Sequence, residues 1–237
     1  GLESEVDNIL PKGLLEDFLS EPILFTRDSS GVLNCISNVC THRGKVIVED
    51  ACEGERLRCG YHGRRFSLDG NCFSMPEFEH VKNFPCEKDD LRKIPFEKWH
   101  DFLFVSLNPL APFERFIAET RATTSEFDFE SLELVSTKDY FIKAHWALYC
   151  ENYLEGFHIP FVHKSLNEVI DFGTYTTELF RCSSLQTGYD DREKPAARYF
   201  FVFPNMMFNF YPWGVSVNIV KPIESSFTKV EYWTFVS

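Results

Sequence analysis

At 237 residues, 44% hydrophobic and 25% charged, the chain has the composition of a folded protein with room for two cores, not of a disordered or fibrous one. A net charge of −12 makes a nucleic-acid backbone or an anionic membrane surface an unfavourable partner. No apolar run approaches the ~18 residues that span a bilayer and no signal peptide opens the chain, so the expectation is a soluble, cytoplasmic protein without a membrane or nucleic-acid partner.

In chain order, strand-like runs at residues 22–27 and 32–37 flank Asp28-Ser-Ser-Gly31, and residues 64–68 run into Asp69-Gly70, both hairpin signals. Residues 102–107 close the set, so residues 1–110 are expected to form a small antiparallel β domain. Beyond Asn108-Pro-Leu-Ala-Pro112 the periodicity changes to an amphipathic helix over 113–127 and a long strand over 132–144. A helix over 146–156 and apolar strands within 198–211, 215–223 and 229–237, broken by Pro204, Pro212-Trp-Gly214 and Pro222, complete a second domain over 111–237. The fold class is therefore α+β. Gly1 in place of Met, and a last strand with no stop signal, point to a longer polypeptide.

Cys40-Thr-His42 and, after sixteen residues, Cys59-Gly-Tyr-His62 each supply one thiol and one imidazole from a turn. Two thiolates can hold one iron of a [2Fe–2S] cluster while two neutral imidazoles hold the other, which raises the reduction potential above that of an all-cysteine cluster. A tetrahedral zinc also accepts two Cys and two His, but zinc fingers pair like with like in each local segment, whereas two mixed loops suit a dinuclear cluster. Gly44, Gly60 and Gly63 supply backbone freedom for such loops. The other cysteines, Cys35, Cys52, Cys72, Cys86, Cys150 and Cys182, read as free thiols. The two loops resemble the Rieske motif, with Cys59-Gly-Tyr-His-Gly63 similar to the second loop of Rieske oxygenases. Gly60 and Arg64 depart from the Pro and Trp of many relatives, and the expected consequence is altered docking of the electron donor.

A second constellation follows in Glu151-Asn-Tyr-Leu-Glu155-Gly-Phe-His158-Ile-Pro-Phe-Val-His163. Histidines five apart lie on different sides of an unbroken helix, so a break at Pro160 is expected to bring His163 back towards His158. Two histidines and a carboxylate form the facial triad of non-haem Fe(II) oxygenases. The segment resembles the catalytic motif of Rieske non-haem iron oxygenase α subunits, and that resemblance implies several things at once. The first domain carries the [2Fe–2S] cluster on Cys40, His42, Cys59 and His62, and the second is a helix-grip, START-like domain with Fe(II) on His158 and His163. Glu155 bridges the iron site of one subunit to His62 of its neighbour in a homotrimer. The resemblance further implies a ferredoxin or flavin reductase as donor, O2 as oxidant and a small organic substrate, with Glu155 rather than Asp favouring quaternary amines over aromatic rings. The family's third iron ligand is a later carboxylate. Glu168, Asp171, Glu178, Asp190 and Asp191 do not match its context, so that ligand is expected outside the sequence. The aromatic run Tyr199, Phe201, Phe203, Phe208, Phe210, Tyr211 and Trp213 is expected to be mostly core.

Overall fold

Asp28 explains the first hairpin. Its carboxylate accepts the N–H groups of Ser30 (2.9 Å) and Val32 (3.0 Å), closing the turn between β2 (Glu21–Arg27) and β3 (Leu33–Ser37). In the computed structural model, which describes residues 1–163, 166, 168–190 and 194–237, these strands form a three-stranded antiparallel sheet with β1 (Ile9–Leu14). Sequence reading misses β1 because Pro11 and Gly13 interrupt its apolar pattern; β1 tolerates both as an edge strand. A second three-stranded sheet comprises β4 (Leu57–Arg58), β5 (Arg65–Phe66) and β6 (Cys72–Ser74). A hairpin of β7 (Phe96–Trp99) and β8 (Phe102–Val105) completes the unit Gly1–Leu110.

The run Ile23-Leu-Phe-Thr26 is continuously apolar up to Thr26 because both faces of β2 are buried. Ile23 and Phe25 pack with Val6, Cys35, Ile94 and Leu103, while Leu24 packs with Ile36, Leu57 and Phe66. Cys40 and Cys59 belong to that second core, so both motif loops are rooted in it. The buried Thr26 hydroxyl donates to the Leu68 carbonyl and ties the two sheets together.

The unit Ala111–Ser237 starts with α1 (Phe113–Thr123), β9 (Glu133–Ile142), α2 (Trp146–Tyr153) and α3 (Ile159–Val162). There follow β10 (Asp171–Leu179), β11 (Ser183–Tyr189), β12 (Pro195–Val202), β13 (Met206–Tyr211), β14 (Gly214–Glu224) and β15 (Phe227–Val236). The strands make one antiparallel sheet in the order β10-β11-β12-β13-β14-β15-β9, an α+β architecture. Pro222 does not end its strand as expected. It pairs with Thr228 inside β14, and the ladder accommodates it through a register shift between Pro222 and Glu224.

The two faces of this sheet differ in chemistry because neighbours alternate sides. Phe200, Phe208 and Phe210 line one face, and Phe127 and Phe129 meet Phe210 edge-on at 5.0 and 5.9 Å. Tyr199, Asn209, Ser216 and Asn218 line the other, which α2 covers. Tyr153 donates its hydroxyl to Asn209 Oδ1 (2.9 Å), the Asn209 amide donates to Asn218 Oδ1 (3.2 Å), and Asn218 donates to the Tyr149 hydroxyl (3.1 Å). This chain of buried polar contacts fixes α2 on the sheet, and with it the start of the segment carrying Glu155, His158 and His163. Among the described residues no helix is long and apolar enough to cross a membrane.

Candidate metal centres

The two loops of the first motif have one hydrogen-bonding plan. The Cys40 N–H donates to the Lys45 carbonyl (2.9 Å) and the Gly44 N–H to the Cys40 carbonyl (3.0 Å); Cys59 N–H to Arg64 and Gly63 N–H to Cys59 repeat this at 2.9 and 3.0 Å. Gly44 and Gly63 adopt φ of 71° and 72°, the left-handed region where a side chain strains the backbone. Gly60, expected to share that role, is not in the left-handed region. The plan places like donors together. The Cys40 and Cys59 thiols are near enough to influence each other electrostatically, and the His42 and His62 rings lie 4.8 Å apart at 66°.

This donor set fits a dinuclear cluster. A single tetrahedral zinc would need two thiols and two imidazoles on one point. Instead sulfur pairs with sulfur and ring with ring. His42 Nδ1 is buried with no hydrogen-bond partner, an unsatisfied atom that a metal would satisfy. Burial holds the His42 imidazole below its ordinary range, helped by the charges of His62, Arg64 and Arg43, which favours the neutral, ligating form. Burial also raises the Cys40 thiol; the His42 N–H opposes this, the Cys59 thiol adds to it, and the Arg64 charge works towards the thiolate.

In the second constellation, helix α2 stops at Tyr153 and the chain turns before a single-turn helix capped by the two histidines, His158 at its start and His163 at its end. Pro160 therefore does not break a helix between the rings; it occupies the first turn of α3, where its missing N–H has no intrahelical partner to lose. The rings nevertheless meet, with centroids 5.0 Å apart. Glu155 hydrogen-bonds His158 Nδ1 with one carboxylate oxygen and accepts the Phe157 N–H (2.5 Å) and His158 N–H (3.3 Å) with the other. Burial raises its carboxyl, but these three hydrogen bonds outweigh it and hold the group below the usual carboxylate range. With Nδ1 committed, His158 has Nε2 left for a metal.

A model of the Rieske [2Fe–2S] domain matches residues 5–85. Chloroplastic choline monooxygenase of Arabidopsis thaliana is 28% identical over 233 residues, covering 89% of this chain and 55% of the relative. The carnitine monooxygenase oxygenase subunit of Escherichia coli K12 is 24% identical over 218 residues, covering 90% and 58%. The fold matches that of the quaternary ammonium Rieske monooxygenase CntA, solved with L-carnitine, with a TM-score of 0.82 at 22% identity over 99% of this chain and 67% of that one. The first unit of the chain contains a Rieske [2Fe–2S] domain, and over most of its length the chain is similar to the oxygenase subunits of Rieske monooxygenases. It spans about half the length of the choline and carnitine monooxygenases it matches.

The Rieske domain implies a [2Fe–2S] cluster, and the similarity to the monooxygenase subunits implies a mononuclear Fe(II) as well. The second unit brings two nitrogen donors together, and no third donor joins them among the described residues. Of the carboxylates set aside on sequence, Asp191 lies outside the described residues. Arg64 is placed in the interior. It is 4% exposed, so its guanidinium is not offered to a docking donor. Sequence reading had no signal for this, since a charged side chain is read as solvated unless its partner is known.

Proposed function

We propose that this chain is the cluster-bearing and iron-bearing part of a terminal oxygenase that hydroxylates or demethylates a small quaternary amine. Cys40 and Cys59 hold one cluster iron, and His42 and His62 the other. His158 and His163 would hold a mononuclear Fe(II), which would supply O2 chemistry driven by one-electron delivery from the cluster. The observation that carries the reading is the Glu155–His158 hydrogen bond beside the His163 ring, in a chain whose other unit is a Rieske domain. That carboxylate fixes the ring orientation of His158 and keeps a proton at Nδ1, which makes Glu155 a positioning residue. In a head-to-tail homotrimer it reaches the exposed His62 of the next copy and links the two centres. A ferredoxin or flavin reductase supplies the electrons, in the soluble phase of the cytoplasm.

The choline and carnitine monooxygenases among the relatives support the substrate class. The test uses the complete polypeptide with a reductase and NADH, measuring O2 uptake against carnitine, choline, glycine betaine and simple aromatic acids. Substrate-dependent aldehyde release from a quaternary amine is the expected result. A cis-dihydrodiol from an aromatic acid instead makes it a ring-hydroxylating dioxygenase, and a chain that binds cluster iron but no further iron makes it an electron carrier.

A further inference from the structure

Arg64 follows His62 by two residues, and burying a guanidinium is unfavourable unless it is paired. Its Nη1 donates to Thr41 Oγ1 (2.9 Å), between Cys40 and His42, and to Asp89 Oδ1 (3.1 Å). The Thr41 hydroxyl in turn donates to the Asp89 main-chain carbonyl (2.6 Å), and the guanidinium lies over the Phe84 ring at 5.3 Å. Its own carbonyl accepts the Cys59 N–H. One residue thus ties the first loop, the second loop and the 84–89 segment together. Nε remains buried with no acceptor, so the cation is only partly satisfied by its protein partners. Its field reaches both Cys40 and His42.

We propose that Arg64 is a positioning residue that sets the reduction potential of the cluster, by fixing a buried positive charge between the two ligand loops. The inference rests on the cluster assignment made above. Reduction adds one negative charge to the cluster, and a fixed cation in a poorly screened site stabilises the reduced form more than the oxidised one. Asp89 holds the guanidinium in place and moderates its field. The two members of the pair therefore push the potential in opposite directions, whereas a purely mechanical tie predicts the same change from cutting it at either end.

The test is a redox titration of the complete chain, followed by the electron paramagnetic resonance signal of the reduced cluster, for wild type, Arg64→Gln, Arg64→Lys and Asp89→Asn. Arg64→Gln is expected to lower the reduced-to-oxidised ratio at a fixed poise about tenfold, which is about 59 mV for a one-electron couple. Arg64→Lys keeps the charge and stays near wild type, and Asp89→Asn raises the ratio. Shifts of the same sign in Arg64→Gln and Asp89→Asn, or no shift in either, overturn the proposal. If Arg64→Gln loses its cluster, an unchanged Lys variant beside a raised Asn variant supports it, and a Lys variant displaced in the same direction as the Asn variant overturns it. A wild-type chain without a Rieske signal overturns the cluster assignment and this inference with it, an outcome distinct from a cluster whose potential does not move.

Discussion

Glu155 uses both carboxylate oxygens inside its own loop, one on the His158 ring and one on two main-chain N–H groups. Glu155→Gln keeps the size and one acceptor but removes the charge that favours a proton on Nδ1. Changes of this kind beside a metal ligand reduce affinity or activity by about 10–100-fold. Turnover is expected to fall in that range while titrated Fe(II) still binds; unchanged turnover would count against the positioning role. Low pH should do what the substitution does. The folded carboxyl titrates below its ordinary 4.5, so the interaction is complete above that value and is lost only as pH falls through the lower folded one. The ligand candidates were legible because C-x-H and C-x-x-H are local patterns that dictate their own loops. Arg64 was not, because the groups that make its burial tolerable, Thr41 and Asp89, lie more than twenty residues away on either side.

Elements of the second unit show where hydropathy stops being informative. β11 reads Ser-Ser-Leu-Gln-Thr-Gly-Tyr, a polar string, yet every residue from Ser183 to Gly188 is buried. Gln186 shows why this is tolerable: its amide donates to the Tyr153 carbonyl (2.6 Å) and its carbonyl accepts the Tyr175 hydroxyl (3.1 Å). The partners that make a polar strand a core strand come from α2 and β10, and no window along β11 contains them, so neither β10 nor β11 was anticipated. The Pro212-Trp-Gly214 break was, and its reason is steric. Gly214 has φ of 151°, and a Cβ there would lie 2.1 Å from the Phe235 carbonyl oxygen on the neighbouring strand. Gly214→Ala must push β14 off β15 where the pair begins. It is expected to lower the unfolding free energy by about 3 kcal/mol in chemical denaturation, from backbone strain and overpacking together. A loss within experimental error would mean that the strand ends part without consequence.

At the scale of the molecule the two donor sets fall in different units, Cys40, His42, Cys59 and His62 within Gly1–Leu110, and His158 and His163 within Ala111–Ser237. The first unit has two cores of its own, with Cys40 and Cys59 seated in one of them, and its strands pair with one another. A unit with its own core and closed pairing can fold by itself. Each motif loop is closed by its own Cys and Gly main-chain hydrogen bonds within the first unit. Residues 1–110 alone are therefore expected to fold and carry two irons and two sulfides per chain, with the absorbance of a Rieske cluster. In the complete chain, replacing both His158 and His163 by Ala should leave that cluster and its sulfide content intact while abolishing any further iron. Loss of sulfide on replacing the two histidines would show that the centres are assembled as one, and an unfolded 1–110 fragment would show that the first unit's cores need the second to persist.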